Sequence, residues 1–200
     1  MHISEGVLKP EILIAGSALS SMFTLWAFKT LKVEEIPKTA VLCALFFLAS
    51  FIHIPLGPSS VHLVLGGIVG AFLGLRAFIA IFVALLLQGI LFGYGGISTL
   101  GVNLFNLAAP ALLAKPLFAL SPLRLLQKYT VWFLVGSLPL LCSSLLLSAT
   151  LFFNGELFAS AAWLILISYL PLIVIEGFIT LFALRFIEKV SPLLMQRKLT

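Results

Sequence analysis

The chain has 200 residues, 62% of them hydrophobic and 10% charged, with a formal net charge of +5. Soluble domains carry roughly half apolar and a quarter charged residues, so this composition excludes a soluble globular protein and reads as an integral membrane protein. The basic residues fall between apolar runs, as topology signals do, and form no patch interleaved with aromatics that would suit nucleic acid.

The opening Met1-His2-Ile3-Ser4-Glu5-Gly6 carries one of only three histidines. A free α-amine, the backbone nitrogen of residue 2 and the His2 imidazole close two adjacent chelate rings on one divalent metal. With the amide deprotonated, this planar nitrogen set suits Ni²⁺ or Cu²⁺. It requires that Met1 is retained and unblocked, and a bulky second residue generally prevents removal of the initiator. The amine and the imidazole, with ordinary pKa values of about 8 and 6.5, must both lose protons, so affinity falls as pH drops. A fourth ligand would come from His62 or His53, the remaining imidazoles; the alternative is that His2 is an ordinary exposed terminal residue. A cleaved signal peptide is not expected, because Glu5 and Glu11 outweigh Lys9 before the apolar run.

Apolar runs and their breakers predict an all-α membrane bundle, one transmembrane domain over residues 1–200. Its segments number about seven, at roughly residues 10–28, 38–55, 62–75, 77–92, 103–120, 129–152 and 158–184. The third is short, about 21 Å at 1.5 Å per residue, so it is placed inside the bundle. Threaded this way, Lys29, Lys32, Lys38, Arg76, Lys115, Arg124, Lys128, Arg185, Lys189, Arg197 and Lys198 share one side and only Lys9 lies on the other. The positive-inside rule makes the crowded side cytoplasmic, with the N-terminus outside and the C-terminus inside. His2, His53 and His62 then all fall on the outer side. Cys43 and Cys142 sit in apolar runs as small buried hydrophobes, and neither a disulfide nor a metal thiolate is inferred.

Before the third segment, Pro55-Leu56-Gly57-Pro58-Ser59-Ser60 predicts a tight turn, with Ser59 or Ser60 capping the next helix and His62 in its first turn. Gly66, Gly70 and Gly74, with Gly67 beside them, allow close helix packing, within the chain in preference to a partner. The glycine-rich stretch from Phe92 to Asn106 has no Walker A match and reads as a tight outer loop. Asn103 and Asn106 share one helical face; there an amide holds a ligand imidazole in its tautomer, or equally caps and bridges helices. His53, Asn103, Asn106 and Glu5 are thus the further candidates for ligands or supporting groups. Gln88, Tyr169 and Glu176 are the polar residues within later spans. Glu176 is costly there and placed towards the cytoplasmic half, away from the histidines, bonding to neighbouring helices or lining a partner contact. The basic C-terminal stretch is read as an anchor at the anionic leaflet.

Three motifs in order, Met-His-Ile-Ser-Glu-Gly-Val-Leu, Gly-Pro-Ser-Ser-Val-His-Leu-Val-Leu-Gly-Gly and Leu-Phe-Gly-Tyr-Gly-Gly-Ile-Ser-Thr-Leu-Gly-Val-Asn-Leu-Phe-Asn, resemble the CbiM/NikM family. These are the metal-capturing membrane (S) components of cobalt and nickel energy-coupling-factor transporters, a class of ABC importer. The resemblance implies a bacterial or archaeal cell-membrane protein with no catalysis of its own. It implies metal ligands at Met1, His2 and His62, a supporting role for Asn103, and an open role for His53. Many relatives carry a histidine where this chain has Tyr169, which weakens any ligand role for the last segment. The implied partners are a transmembrane coupling protein, two cytoplasmic ATPases and often a small accessory membrane subunit; the implied cargo is Ni²⁺ or Co²⁺.

Two other readings compete. An S component for an organic vitamin would tolerate loss of His2. An intramembrane metal-dependent hydrolase would need a general base, yet no His-Glu-x-x-His occurs and no carboxylate lies near His53 or His62 in sequence.

Overall fold

The computed structural model describes residues 3–56, 59–121 and 125–192, and the side chains of residues 53–61 lie outside that description. Most of these residues are helical: α1 (Pro10–Lys29), α2 (Ile36–Ala49), α3 (Gly66–Leu73), α4 (Ala77–Phe92), α5 (Leu100–Ala111), α6 (Ala114–Ala119), α7 (Leu125–Asn154) and α8 (Ala159–Val190). A chain this apolar has to pair its backbone polar groups internally, and a helix does so within one segment. The all-helical bundle predicted above is therefore the architecture found. Its exception is an antiparallel ribbon of β1 (His53–Leu56) and β2 (Ser59–His62).

The predicted count of about seven segments needs correction on length and hydropathy. Five helical runs are long and apolar enough to cross a membrane: Pro10–Lys29, Gly66–Phe92, Leu100–Ala119, Leu125–Asn154 and Glu156–Val190. The predicted second segment falls short because α2 has 14 residues and ends at Ala49. Pro55 biases the residue before it towards extended backbone, and the chain leaves the helix for the ribbon. The predicted third and fourth segments form one helical run of 27 residues. It is interrupted by a 3₁₀ turn, Gly74–Arg76, where Gly74 takes a φ of +54°.

α3 is the innermost element, with only Phe72 of its residues not buried. Two glycines make this possible. A Cβ on Gly67 would overlap the Val135 carbonyl of α7, and one on Gly70 would overlap the Ala111 carbonyl of α5. Small residues let backbones meet where lipid offers no hydrophobic drive between helices. The packing pair is thus Gly67 and Gly70 rather than the predicted stripe of Gly66, Gly70 and Gly74, and the contact is within the chain. Around α3, α7 packs along α8, α1 crosses α5 and α2 lies beside α4. The outer faces of α1 and α8 expose Met22, Leu25, Trp26, Leu164, Ile167 and Phe182, as lipid-facing helices do.

The connections at one end are tied by charge. Arg76 pairs with Glu35 at 3.0 Å and donates to the Thr30 carbonyl at 2.7 Å, joining the α3–α4 turn to the α1–α2 connection. Lys128 at the start of α7 pairs with Glu188 at the end of α8.

Candidate metal-capture site

The stretch from Ile3 to Lys9 is tied down by two asparagine amides. Asn103, in the first turn of α5, accepts from the Ile3 N–H at 2.9 Å and donates to the Ile3 carbonyl at 3.1 Å. Asn154, ending α7, accepts from the Lys9 N–H at 2.8 Å and donates to the Val7 carbonyl at 2.8 Å. A carboxamide carries a donor and an acceptor side by side, so one side chain can satisfy both polar groups of a backbone that makes no ladder of its own. Glu5 adds a third tie: its carboxylate accepts from the Ser98 N–H at 3.1 Å, and its N–H donates to the Gly95 carbonyl at 3.3 Å. Gly96 makes room, since a Cβ there would overlap the Glu5 side chain. The Ile3 and Leu8 side chains, 5% and 7% exposed, anchor the same stretch in the core. Met1 and His2, the first two candidate ligands, lie outside the described residues.

His62 is the last residue of β2 and is buried, 7% exposed. It therefore stands on a strand and not in the first turn of a helix, and Ser59 and Ser60 pair in the ribbon instead of capping. Helix α3 starts only at Gly66, after Leu65 has taken a left-handed φ of +54°. The His62 ring contacts its neighbour's backbone, Nδ1 lying 2.9 Å from the Leu63 carbonyl. A carbonyl only accepts, so Nδ1 is the donor in this contact, and in the neutral ring that leaves the lone pair on Nε2. This is how metal-ligating histidines are commonly oriented, the second ring nitrogen donating to a backbone carbonyl.

The ribbon register makes His53 the cross-strand partner of His62. Next to this pair the Leu63 N–H donates to the Ile52 carbonyl at 3.1 Å. Antiparallel ladders alternate bonded and non-bonded pairs, so positions 53 and 62 form a non-bonded pair, the kind whose Cα atoms approach to about 4.5 Å. The next non-bonded pair is Pro55 with Ser60, where a missing proline N–H costs no ladder bond. The His53 side chain is outside the described residues.

Glu176 is not remote from this region. It is fully buried, and Oε1 accepts from the Leu65 N–H at 2.9 Å and from the Val64 N–H, directly after His62 and Leu63. Counting along the last segment puts Glu176 in the cytoplasmic half, whereas the strand-to-helix link passes beside the middle of α8. Asn106 pairs with Thr150 at 3.3 Å and so bridges α5 to α7. Tyr169 is a buried core residue, and Gln88 is fully buried with neither amide atom paired among the described residues. Sequence reasoning missed Asn154 altogether; its only signal was an amide and a glycine at the end of a long apolar run.

Two clefts open elsewhere. One, of about 420 Å³, lies among α1, α4 and α5 by Ser17, Ser20 and Thr24. The other, of about 730 Å³, lies at the charged end by Lys38, Arg76 and Lys115. Neither is lined by a histidine. Among the described residues no group of three or more His, Cys, Asp or Glu side chains comes together.

The model of the CbiM family, described as a cobalt uptake substrate-specific transmembrane region, matches residues 2–194. A Haemophilus influenzae protein named provisionally for metal transport is 38% identical, over 98% of this chain and 98% of its own. The Streptomyces coelicolor cobalt transport protein CbiM is 29% identical over 96% of this chain and 90% of its own. A crystal structure of a transition metal transporter shares the fold with a TM-score of 0.74, at 23% identity over 95% of this chain and 93% of that one.

Proposed function

The chain belongs to the CbiM family of cobalt and nickel transport proteins, and from that premise we propose that it is the substrate-capture component of an energy-coupling-factor importer. It takes Ni²⁺ or Co²⁺ from outside the cell and passes it inward when partner ATPases drive a conformational change. The metal ligands in this reading are the Met1 amine, the backbone nitrogen and imidazole of His2, and His62. The partners are a transmembrane coupling protein, two cytoplasmic ATPases and, in part of the family, a small accessory membrane subunit. The chain does no chemistry of its own.

The observation that carries the reading is the double hydrogen bond of Asn103 to Ile3. A buried amide spent on residue 3 makes sense if the residues before it must be held at a set place and angle. His62, with its Nδ1 fixed by the Leu63 carbonyl, is the described member of the set. The all-nitrogen donors favour nickel over cobalt by geometry, while the affinity order would favour Cu²⁺ over both, so selection also depends on metal supply and partners.

Contacts also support a reading in which the 27-residue run turns back on itself at Gly74–Arg76, so that α3 and α4 run in opposite directions. α3 begins beside Glu176, and Gly74 at its end abuts the Lys115 side chain. α4 leaves Arg76, which is tied to Glu35 and Thr30, and ends at Phe92, shortly before the Gly95 that holds Glu5. Together with the distribution of Lys and Arg, these contacts support the reading that the opening segment and the ribbon face outside.

The test is equilibrium binding of Ni²⁺ and Co²⁺ to purified protein with its native N-terminus, beside a form with one extra residue ahead of Met1, both tagged at the C-terminus. The extension converts the amine into an amide and should weaken binding at least tenfold. Equal binding by both forms would remove the terminal chelate from the mechanism. In cells, metal uptake unchanged by His2→Ala would favour the vitamin-carrier reading instead.

A further inference from the structure

The link between His62 and α3 contains the only described residue other than glycine with a positive φ, Leu65 at +54°. Left-handed backbone is unfavourable for a branched side chain and persists where the surroundings over-determine it. Here one carboxylate oxygen does so. Oε1 of Glu176, reaching in from α8, accepts the Leu65 N–H at 2.9 Å and the Val64 N–H as well. Consecutive amides turned towards one anion form a concave site of the kind that holds charge, and the N-terminus of α3 adds a favourable dipole. Oε2 has no partner among the described residues, so both bonds depend on one oxygen.

The next bond in the series belongs to His62. The Leu63 carbonyl that orients the imidazole precedes the Val64 N–H that Glu176 holds. Glu176 therefore fixes Val64, Val64 fixes the Leu63 peptide, and that peptide fixes the His62 tautomer and ring direction. We propose that Glu176 is a positioning residue for the captured metal, setting the His62 imidazole through the Val64–Leu65 amides and thereby linking α8 to the site. This rests on His62 being a metal ligand. It gives a buried carboxylate in a span a role that is not ligation, and it means that a displacement of α8 would disturb the His62 ligand directly.

The experiment measures Ni²⁺ affinity by titration calorimetry, the Ni²⁺ absorption bands, and amide exchange of the peptide covering residues 63–66. It compares wild type, Glu176→Gln and Glu176→Leu, each with the native N-terminus. The glutamine oxygen can still accept both N–H groups, so its affinity should stay within about threefold of wild type with unshifted bands. The leucine variant should bind at least tenfold more weakly, with shifted bands and faster exchange over 63–66. A folded leucine variant that binds like wild type, or a glutamine variant as weak as the leucine one, overturns the proposal. Should the leucine variant not fold, wild type decides. Saturating Ni²⁺ should slow exchange of the 63–66 amides, and an unchanged rate overturns the link. If wild type itself binds neither Ni²⁺ nor Co²⁺, the capture reading fails, a result distinct from variants that bind as well as wild type.

Discussion

At the scale of single residues, three buried polar side chains are spent on backbone. Asn103, Asn154 and Glu176 each satisfy two main-chain groups of a segment that has no ladder or helix of its own. Losing a partner inside a buried site exposes the desolvation cost of the group left behind, about 1–3 kcal/mol. Asn103→Ala leaves both the Ile3 N–H and carbonyl unpaired. It should lower stability by that order in a detergent melt and weaken Ni²⁺ binding more than tenfold, because the residues proposed to bind the metal lose their fixed start. Asn154→Ala loosens Val7 and Lys9, farther from residues 1 and 2, and should cost similar stability with a smaller loss of affinity.

At the scale of elements, α3 decides how closely the bundle can pack. Gly67 lies against α7 so closely that any side chain would collide with the Val135 carbonyl, whereas the nearest atom to a Cβ on Gly66 is a Val64 side-chain carbon at 3.7 Å. Gly67→Ala should therefore destabilise by about 1–3 kcal/mol, the usual cost of over-packing, and Gly66→Ala should melt close to wild type. The connections at the charged end make a different prediction. The Lys32 N–H, followed by Arg76, holds the Glu35 carboxyl below its ordinary value of 4.5. A depressed carboxyl contributes stability that is complete above that ordinary value and is lost as pH falls through the lowered one. Glu35→Gln should lower the melting temperature slightly at neutral pH, flatten its fall in acid and meet the wild-type value near pH 3, measured from pH 7 down to 3. The effect should be small, because the pair is partly open to solvent and screened.

At the scale of the whole molecule, the proposed orientation separates two exposed positions by the membrane. Ser98 sits in the loop that holds Glu5, and Glu34 in the connection that meets Arg76. In a background with Cys43 and Cys142 replaced by alanine, Ser98→Cys should react with a membrane-impermeant maleimide on intact cells. Glu34→Cys should react only after permeabilisation. Labelling of both on intact cells would contradict a crossing by α1, and the reversed pattern would invert the protein.

What the sequence determined by itself is what is local. Mean hydropathy and the scarcity of charge dictated a membrane bundle, Pro10 and Gly93 mark the start of α1 and the end of α4, and three short motifs carried the family and the candidate ligands. A helix is legible because its hydrogen bonds close within a few residues, and a motif because its spacing is itself the signal. The tertiary structure alone decided what pairs across the chain. Asn154 meets Lys9 at a separation of 145 residues, and Glu176 meets Leu65 at 111. The ribbon that sets His53 opposite His62 replaced a predicted helix turn. These contacts depend on where each helix ends and at what height it stands against its neighbours. That height is set by the packing of many side chains at once, including two glycines on α3, and no single stretch of sequence records it.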